Sequence, residues 1–301
     1  MNDKTCLVTG ATSGIGRATA LALSTMGYGV ILLGRNDDKL KKTGRHLKLK
    51  SGNDRIGACP CDLSEMAQVR AAVVRLKRDY DKIDILINNA GARFLRHALT
   101  TEGLEMTLAT NHLGHFVLTL GLIEVLKRSA GPRIINVSSG VHFAGGVIEN
   151  ILSAKDYDGR QQYANSKLAN VLFTYALAER VGGTGITVNA VGPGGVATNF
   201  ARNNGWAHWL KHRMYYLSKR QLLTPAQGAE PLVFLASSED VGGVTGKYFV
   251  GKTATMTSRL SYDTEAQERL WAESVAWGGI DLSPSSPGAR EEGRSTGHRV
   301  N

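Results

Sequence analysis

The chain has 301 residues, 42% of them hydrophobic and 21% charged, with 35 glycines and 7 prolines. This composition is typical of a globular protein that buries a large core. The formal net charge is +10. No zinc-finger, RNA-binding or helix-turn-helix pattern accompanies that charge, so nucleic-acid binding is not expected and at most a weak preference for anionic ligands is indicated.

Membrane and metal-site signals are absent from the sequence. No apolar run reaches the roughly 18 residues that a membrane span needs, and only Met1–Lys4 precede the first predicted strand, which leaves no room for a signal peptide. We therefore expect a soluble, cytoplasmic protein. The cysteines Cys6, Cys59 and Cys61 are odd in number and indicate reduced thiols; Cys59-Pro-Cys61 lacks metal-ligand spacing, so no metal is expected.

Short apolar runs alternate with longer segments of helical periodicity, which indicates a parallel sheet wrapped by helices. Seven strands are predicted, at Thr5–Thr9, Val30–Leu33, Arg55–Cys59, Ile83–Asn88, Arg133–Val137, Thr187–Val191 and Lys247–Val250. The predicted helices are Ile15–Met26, Asp37–Lys50, Ser64–Asp79, Thr107–Lys127, Gln161–Val181 and Pro225–Ala236. The elements predict one doubly wound α/β domain over residues 1–282, followed by a disordered tail at 283–301 that is rich in Pro, Ser, Gly and Arg.

Two segments interrupt this alternation, Gly140–Arg160 and Phe200–Leu223. The second is rich in Trp, Tyr, Lys and Arg, so residues of about 200–223 could close an apolar wall over a substrate while the cations stay in water. We favour such a lid, which implies a hydrophobic substrate. A peripheral membrane contact or a subunit interface remains an alternative.

A glycine-rich turn joins the first strand to the first helix, with glycines at Gly10, Gly14 and Gly16. Glycines at such a turn let the backbone approach a dinucleotide pyrophosphate, which then lies on the N–H groups of the helix N-terminus. The spacing Gly-x3-Gly-x-Gly differs from the commonest dinucleotide fingerprint, but its position directly after the first strand favours the same function.

The end of the second strand carries Arg35 where NAD enzymes usually have a carboxylate for the ribose 2′-hydroxyl. A guanidinium there can pair with a 2′-phosphate, so NADP(H) is favoured. NAD(H) stays open, because Arg35 could be an ordinary solvated arginine and Ser13 leaves the glycine loop without a second cation. Asp37 and Asp38 are interpreted as acids of a helix N-terminus.

Tyr163 and Lys167 are four residues apart in a helical pattern, so their side chains leave the same face. A phenol has a pKa near about 10, and an adjacent ammonium lowers it by stabilising the phenolate. Ser138 and Ser139 end the preceding strand, at the edge where open parallel sheets place active sites. A hydroxyl at that edge can donate a hydrogen bond to a substrate oxygen as charge develops on it.

These residues resemble the motifs of the short-chain dehydrogenase/reductase family, a family of Rossmann-type enzymes, over roughly residues 4–250. The matching motifs are Thr9-Gly10-x3-Gly14-x-Gly16, Asp62-Leu63, Asn88-Asn89-Ala90-Gly91, Asn111, Ser139, Tyr163-x3-Lys167 and Pro193-Gly194. The resemblance implies that Tyr163 is the general acid/base, that Lys167 tunes its pKa and binds the ribose, that Ser139 rather than Ser138 polarises the substrate, and that Asn111 kinks its helix and holds a proton-relay water.

The resemblance also implies a set of cofactor-binding residues. Asp62 would contact the adenine, Asn89 and Ala90 the adenosine ribose, and Val196 and Thr198 the carboxamide or the phosphates. The full expected set is Gly10, Thr12, Ser13, Gly14, Ile15, Gly16, Arg35, Asp62, Leu63, Asn89, Ala90, Gly91, Tyr163, Lys167, Pro193, Gly194, Val196 and Thr198.

Within the family, Asn111-His-Leu-Gly-His-Phe, Val137-Ser-Ser and Tyr163-Ala-Asn-Ser-Lys resemble the retinol dehydrogenase-like branch, which uses lipophilic alcohols and aldehydes. Two features depart from that branch: the N-terminal membrane anchor of several members is missing, and Ala190-Val-Gly-Pro-Gly replaces the usual His before Pro-Gly. His112 and His115 are interpreted as packed or hydrogen-bonded residues. His142, beside Ser139, is either a structural residue or a substrate contact.

The predicted function is NADP(H)-dependent hydride transfer between nicotinamide and the alcohol or carbonyl group of a hydrophobic small molecule, such as a retinoid, steroid or polyketide-like compound. The alternatives are a non-catalytic NADP(H)-binding scaffold and a family enzyme that performs redox-initiated epimerisation. The resemblance is compatible with a homodimer or homotetramer, which the long inserts could block.

Overall fold

The fold was analysed in a computed structural model, which describes residues 3–146, 157–196, 205 and 222–280. The strands are β1 Thr5–Thr9, β2 Gly29–Gly34, β3 Ile56–Pro60, β4 Ile85–Asn88, β5 Arg133–Val137, β6 Thr187–Gly192, β7 Lys247–Val250 and β8 Thr253–Thr255. The α-helices are α1 Gly14–Thr25, α2 Asp37–Ser51, α3 Met66–Asp79, α4 Met106–Leu108, α5 Gly114–Leu126, α6 Gly159–Arg180, α7 Pro225–Ser237 and α8 Thr264–Gly278.

The strands form one sheet of order β3-β2-β1-β4-β5-β6-β7-β8. All pairs from β3 to β7 are parallel, which confirms the doubly wound α/β prediction. The strand count was one too low: β8 pairs antiparallel with β7 through a tight turn. The strand order reverses between β1 and β4, and a crevice forms at such a point outside the carboxyl ends of the strands.

Alternate strand residues face opposite layers of helices. Leu7, Leu86 and Ile134 pack in one buried cluster with apolar side chains of α3, α5, α6 and α8. Their neighbours in sequence, among them Val8 and Ile135, pack in a second cluster with side chains of α1, α2 and α7. A parallel sheet covered on both faces requires continuous apolar strands, and for this reason the strands could be recognised in the sequence.

The helix predicted at Thr107–Lys127 is interrupted. A π-helical turn, Ala109–Leu113, lies between α4 and α5, and the Thr110 hydroxyl donates to the carbonyl of Met106 at 2.7 Å. Single π turns inside helices occur often at functional sites. Here the turn carries Asn111.

Some predictions concern segments that the structure does not describe. The proposed lid at about 200–223 lies almost wholly outside the described residues, as do Thr198 and the 283–301 tail. The single domain at 1–282 stays a prediction. The described residues that flank the proposed lid lie close together, since Leu223 N donates to the carbonyl of Gly195 at 2.8 Å.

Candidate active site

The glycine-rich turn lies against the end of β4. Gly10 has a φ of +65°, and a Cβ there would be 2.9 Å from the Cα of Ala90. A Cβ on Gly16 would be 2.5 Å from Asn89 Nδ2 and 2.6 Å from the Gly10 carbonyl oxygen. Neither position has space for a side chain, so the glycines let β1, α1 and β4 come together at one edge.

The N-terminus of α1 has the features of an anion site. Ser13 is the N-cap residue but its side chain makes no capping hydrogen bond, and the first turn carries no acidic residue. The N–H groups of that turn therefore lack a side-chain acceptor and point toward the cleft, where an anionic group is stabilised by them and by the helix dipole.

A cleft of about 920 Å³ runs along the carboxyl edge of the sheet from α2 to α6, a volume at the upper end of the usual range for ligand pockets. Of the candidate residues, those that line it are Gly10, Thr12, Ser13, Gly14, Ile15, Gly16, Arg35, Asp62, Leu63, Asn89, Ala90, Gly91, Ser139, Tyr163, Lys167, Pro193, Gly194 and Val196. Asn111 is fully buried behind this lining.

At the α2 end, Arg35, Asn36 and Lys39 line the cleft together. Asn36 caps α2, its Oδ1 accepting from Lys39 N at 2.8 Å. Asp37 forms a 2.6 Å ion pair with Lys41 and is not among the lining residues. Lys39 was not predicted as a second cation of the cleft, because an exposed lysine in a charged helix has no distinctive local signal.

Thr9 joins the glycine loop to the Asn88-Asn89-Ala90-Gly91 turn. Its hydroxyl accepts from the backbone N–H groups of Asn89 and Ala90 at 2.8 and 2.9 Å, and Asn89 Nδ2 donates to its carbonyl at 2.8 Å. Asn88 donates to Thr119 Oγ1 and to Asn136 Oδ1 at 2.9 and 2.8 Å. The motif therefore holds neighbouring strands together and also presents Asn89 and Ala90 to the cleft.

Tyr163 and Lys167 leave the same face of α6, and the Lys167 ammonium lies 5.7 Å from the centroid of the Tyr163 ring. Lys167 is almost completely buried and donates to the carbonyl of Val137 at 3.1 Å. Burial lowers the pKa of Lys167 to about 8, because the charged form loses its hydration. Gly91 leaves room for the ammonium, since a Cβ there would be 3.4 Å from Nζ.

The two serines at the end of β5 differ in environment. Ser138 is buried, and its hydroxyl donates to the carbonyl of Lys167 at 2.7 Å. Ser139 is half-buried and caps a 3₁₀ turn, Gly140–Ala144, its Oγ accepting from Val141 N at a long 3.4 Å. The Ser139 hydroxyl proton can therefore be donated into the cleft, whereas the Ser138 proton is already used.

Asn111 connects the Ala92 segment, which follows β4, to α6 by hydrogen bonds. Its Oδ1 accepts from Ala92 N at 2.8 Å, and its Nδ2 donates to the Ala92 carbonyl and to Ser166 Oγ at 2.9 Å each. His115 donates from Nδ1 to the Asn111 carbonyl at 3.0 Å and accepts from the Thr9 hydroxyl at 2.9 Å. The π turn thus connects the glycine-rich loop with the helix that carries Tyr163.

His112 and His142, the other histidines singled out in the sequence, are not among the described residues that line the cleft. His112 Nε2 is hydrogen-bonded to Ser274 Oγ at 2.8 Å, and its ring packs against Phe116 and Phe173. His142 is fully buried, so its ring is not a substrate contact. A residue that sequence reasoning did not consider, Arg93, does line the cleft, with its guanidinium carbon 6.0 Å from the centroid of the Tyr163 ring.

A glycine-lined anion site at the strand-order reversal, next to a Tyr–Lys pair and an adjacent serine hydroxyl, defines a class: nucleotide-dependent oxidoreductases that act on alcohol or carbonyl carbons. The family model described as short chain dehydrogenase matches residues 4–207. The chain belongs to the short-chain dehydrogenase family.

The most informative relatives are dehydrogenases of lipophilic alcohols. Retinol dehydrogenase 13 of Mus musculus is 37% identical over 292 residues, covering 95% of this chain and 86% of the relative. Human polyprenol dehydrogenase is 34% identical over 285 residues, covering 92% and 86%. The retinol dehydrogenase-like resemblance is confirmed by these matches.

Solved structures agree with the fold. A short-chain dehydrogenase from Shigella flexneri complexed with NADP superposes with a TM-score of 0.66 at 25% identity, covering 84% of this chain and 98% of that one. A protein from Mycobacterium paratuberculosis gives 0.72 at 28% identity, covering 92% and 94%. Among the residues that the structure describes here, no helix has both the length and the apolar character to cross a bilayer.

Proposed function

We propose that the protein is an NADP(H)-dependent oxidoreductase that interconverts an alcohol and a carbonyl group on a lipophilic small molecule, with Tyr163, Lys167, Ser139 and Asn111 as its catalytic set. The observation that carries the proposal is that the Tyr163–Lys167 pair, with the ammonium 5.7 Å from the ring centroid, lies in the same cleft as the glycine-rich anion site.

The residues present fit a bound dinucleotide. Gly10 and Gly16 line the cleft, and because a Cβ at either position would collide with Ala90 or Asn89, they let the turn fold tightly enough to bring backbone up to a ligand. The first turn of α1 offers N–H groups to a pyrophosphate. Arg35 and Lys39 would hold a 2′-phosphate, since both line the cleft and neither of the two acids between them, Asp37 and Asp38, is among the lining residues. Two cations without a facing carboxylate favour NADP(H) over NAD(H).

The cofactor, when bound, supplies or accepts the hydride. In the reducing direction, the Ser139 hydroxyl donates a hydrogen bond to the substrate oxygen and stabilises the negative charge that develops there. The Tyr163 hydroxyl then transfers its proton to that oxygen. The Lys167 ammonium beside the ring stabilises the phenolate that remains, and Asn111 fixes the Ala92 segment against α6.

The test is NADPH-dependent reduction of a panel consisting of all-trans-retinal, a steroid ketone, benzaldehyde, hexanal and glyceraldehyde. We expect kcat/KM to rise with the apolar surface of the substrate, as retinol dehydrogenase and polyprenol dehydrogenase relatives suggest. A preference for glyceraldehyde over retinal contradicts the substrate class. The absence of turnover on every carbonyl contradicts the enzymatic proposal.

Tyr163→Phe removes only the phenol proton. We expect kcat to fall by at least about a thousandfold while the Kd for NADPH changes by less than about threefold. Tyr28→Phe is the matched control, because Tyr28 is buried and lies outside the cleft. Turnover by Tyr163→Phe at the wild-type rate removes Tyr163 from the mechanism.

The cofactor preference is tested with Arg35→Ala, Lys39→Ala and the double variant. Each lost charge-assisted contact should raise the KM for NADPH by about 10-fold or more and leave the KM for NADH nearly unchanged. Lys42→Ala, at an exposed position of the same helix, is the control. Arg35→Asp should move the preference toward NAD(H). Equal effects on both cofactors would mean that neither side chain contacts the 2′-phosphate.

A further inference from the structure

His142 follows Ser139 in the 3₁₀ turn and is completely buried. Its Nδ1 lies 2.7 Å from the Ser139 carbonyl oxygen, and Ser258 N lies 3.3 Å from its Nε2. A carbonyl only accepts and a backbone N–H only donates, so the contacts assign the tautomer. The ring is neutral, carries its proton on Nδ1, donates to Ser139 and accepts from Ser258.

Ser258, the partner of the imidazole at Nε2, follows Thr257, which is hydrogen-bonded to α6. Thr257 Oγ1 lies 2.8 Å from the Tyr175 hydroxyl and 2.6 Å from Ser261 Oγ. Tyr175 is on α6, about three turns after Tyr163. The Ser258 N–H therefore has a defined position relative to the helix that carries Tyr163 and Lys167.

The other contacts of this turn are at its far end. Gly146 N donates to Asn165 Oδ1 at 2.9 Å, and Gln161 Nε2 donates to the Ala144 carbonyl at 2.7 Å. At the Ser139 end, the Ser139 carbonyl accepts from His142 twice, from its backbone N at 3.0 Å and from its Nδ1. The imidazole thus links the Ser139 end of the turn to the segment anchored on α6, in addition to the hydrogen bond from Ser138 to the Lys167 carbonyl.

We propose that His142 is a positioning residue for Ser139: by bridging the Ser139 carbonyl and the Ser258 N–H, its neutral ring holds the serine hydroxyl in register with Tyr163. The inference rests on the proposed role of Ser139. A displacement of a reacting group by about 1 Å can cost about a hundredfold in rate, so a bridge of this kind acts on kcat through the serine and not on cofactor binding.

Three single variants separate the contacts. His142→Phe keeps an aromatic ring beside Tyr248, whose ring centroid is 4.8 Å away, but makes neither hydrogen bond. His142→Asn retains a donor close to the Nδ1 position. Ser139→Ala removes the hydroxyl. With all-trans-retinal and benzaldehyde as probes, His142→Phe should lower kcat by about 10- to 100-fold with an unchanged Kd for NADPH. His142→Asn keeps the donor to Ser139 but cannot accept from the Ser258 N–H, so it should restore little of that loss.

The double variant Ser139→Ala/His142→Phe distinguishes positioning from general damage. If His142 acts through Ser139, adding His142→Phe to Ser139→Ala should lower kcat by less than about twofold. A merely structural role would reduce activity equally in both backgrounds and would lower the Tm by the same amount, an outcome that overturns the inference. A kcat for His142→Phe equal to that of the wild type also overturns it.

A spectroscopic measurement that does not depend on activity separates the proposed role of Ser139 from the positioning role of His142. Nitrogen-15 NMR of histidine-labelled protein should show a neutral imidazole protonated at Nδ1, besides that of His115, that disappears in His142→Phe. If that signal is present but Ser139→Ala turns over normally, the serine's role in the proposed function fails. If His142 is protonated at Nε2, or exchanges between tautomers, the bridge does not exist and the positioning role is wrong.

Discussion

Replacing Lys167 by Met should make the protein more stable at neutral pH while removing its activity. Burial holds the pKa of Lys167 at about 8 in the folded chain, against an ordinary value of 10.5. Because the folded pKa is the lower one, the unfolded chain binds the proton more tightly, and the charged lysine destabilises the fold. The full cost applies below pH 8, decreases between pH 8 and 10.5 and vanishes above that range.

The magnitude follows from the two pKa values. A change from 10.5 to about 8 corresponds to about 3 kcal/mol, at about 1.4 kcal/mol per pKa unit. Methionine also loses the hydrogen bond to the Val137 carbonyl, a cost of about 1 kcal/mol, although that oxygen still accepts from Asn170 Nδ2 at 3.2 Å. The expected net gain at neutral pH is about 2 kcal/mol in the free energy of unfolding.

The assay is urea denaturation of the cofactor-free protein at pH 7 and at pH 10.5, with Lys42→Met as the control for an exposed lysine, which should change stability by less than about 0.5 kcal/mol. Lys167→Met should be more stable than the wild type at pH 7, and the advantage should disappear at pH 10.5. Its kcat should fall by about 10² to 10⁴. A variant that is less stable at pH 7, or whose advantage does not depend on pH, refutes the reasoning.

Three further outcomes are expected. Gly16→Ala, whose Cβ would be 2.5 Å from Asn89 Nδ2, should weaken NADPH binding by about 10-fold or more in calorimetric titration, whereas Gly140→Ala, with no atom within 4 Å of its Cβ, should leave the Kd unchanged. Asn111→Leu leaves both polar groups of Ala92 without their partner and should cost about 3 kcal/mol in denaturation together with most of the turnover; retained stability would contradict this. Burial raises the pKa of Cys59, and that of Cys61 to about 12, so the native protein should not react with iodoacetamide at pH 8 until it is unfolded.

Most of the parallel strands, such as β1, β2, β4 and β5, could be predicted because they are largely buried apolar runs that end at a glycine or a polar turn. β8 could not be predicted in this way, since Thr253–Thr255 is exposed and is defined only by its pairing with β7. The helical periodicity did not predict the π turn at Ala109–Leu113, although the family resemblance implied a kink at Asn111. Asn111 in this turn makes hydrogen bonds to Ala92 and Ser166, contacts that a periodicity argument does not reveal.

The motif residues of the candidate site were available from the sequence because their spacing reflects local geometry, one helical turn for Tyr163 and Lys167 and one strand end for Ser139. Contacts between residues far apart in the sequence could not be predicted. The Ser258 N–H that reaches His142 is 116 residues away in the chain, and no pattern links the two positions. Lys39 was hidden for another reason: an exposed lysine in a charged helix has no distinctive local signal.

The most direct test of the proposed function is to trace the hydrogen that the substrate gains. NADPH deuterated at the transferable position of its nicotinamide is mixed with the enzyme and all-trans-retinal, and the product is analysed by mass spectrometry. The proposal predicts retinol with one deuterium on the carbinol carbon, formed by the wild-type enzyme and not by Tyr163→Phe. Unlabelled retinol, no retinol, or equal labelling with the Tyr163→Phe variant would contradict it.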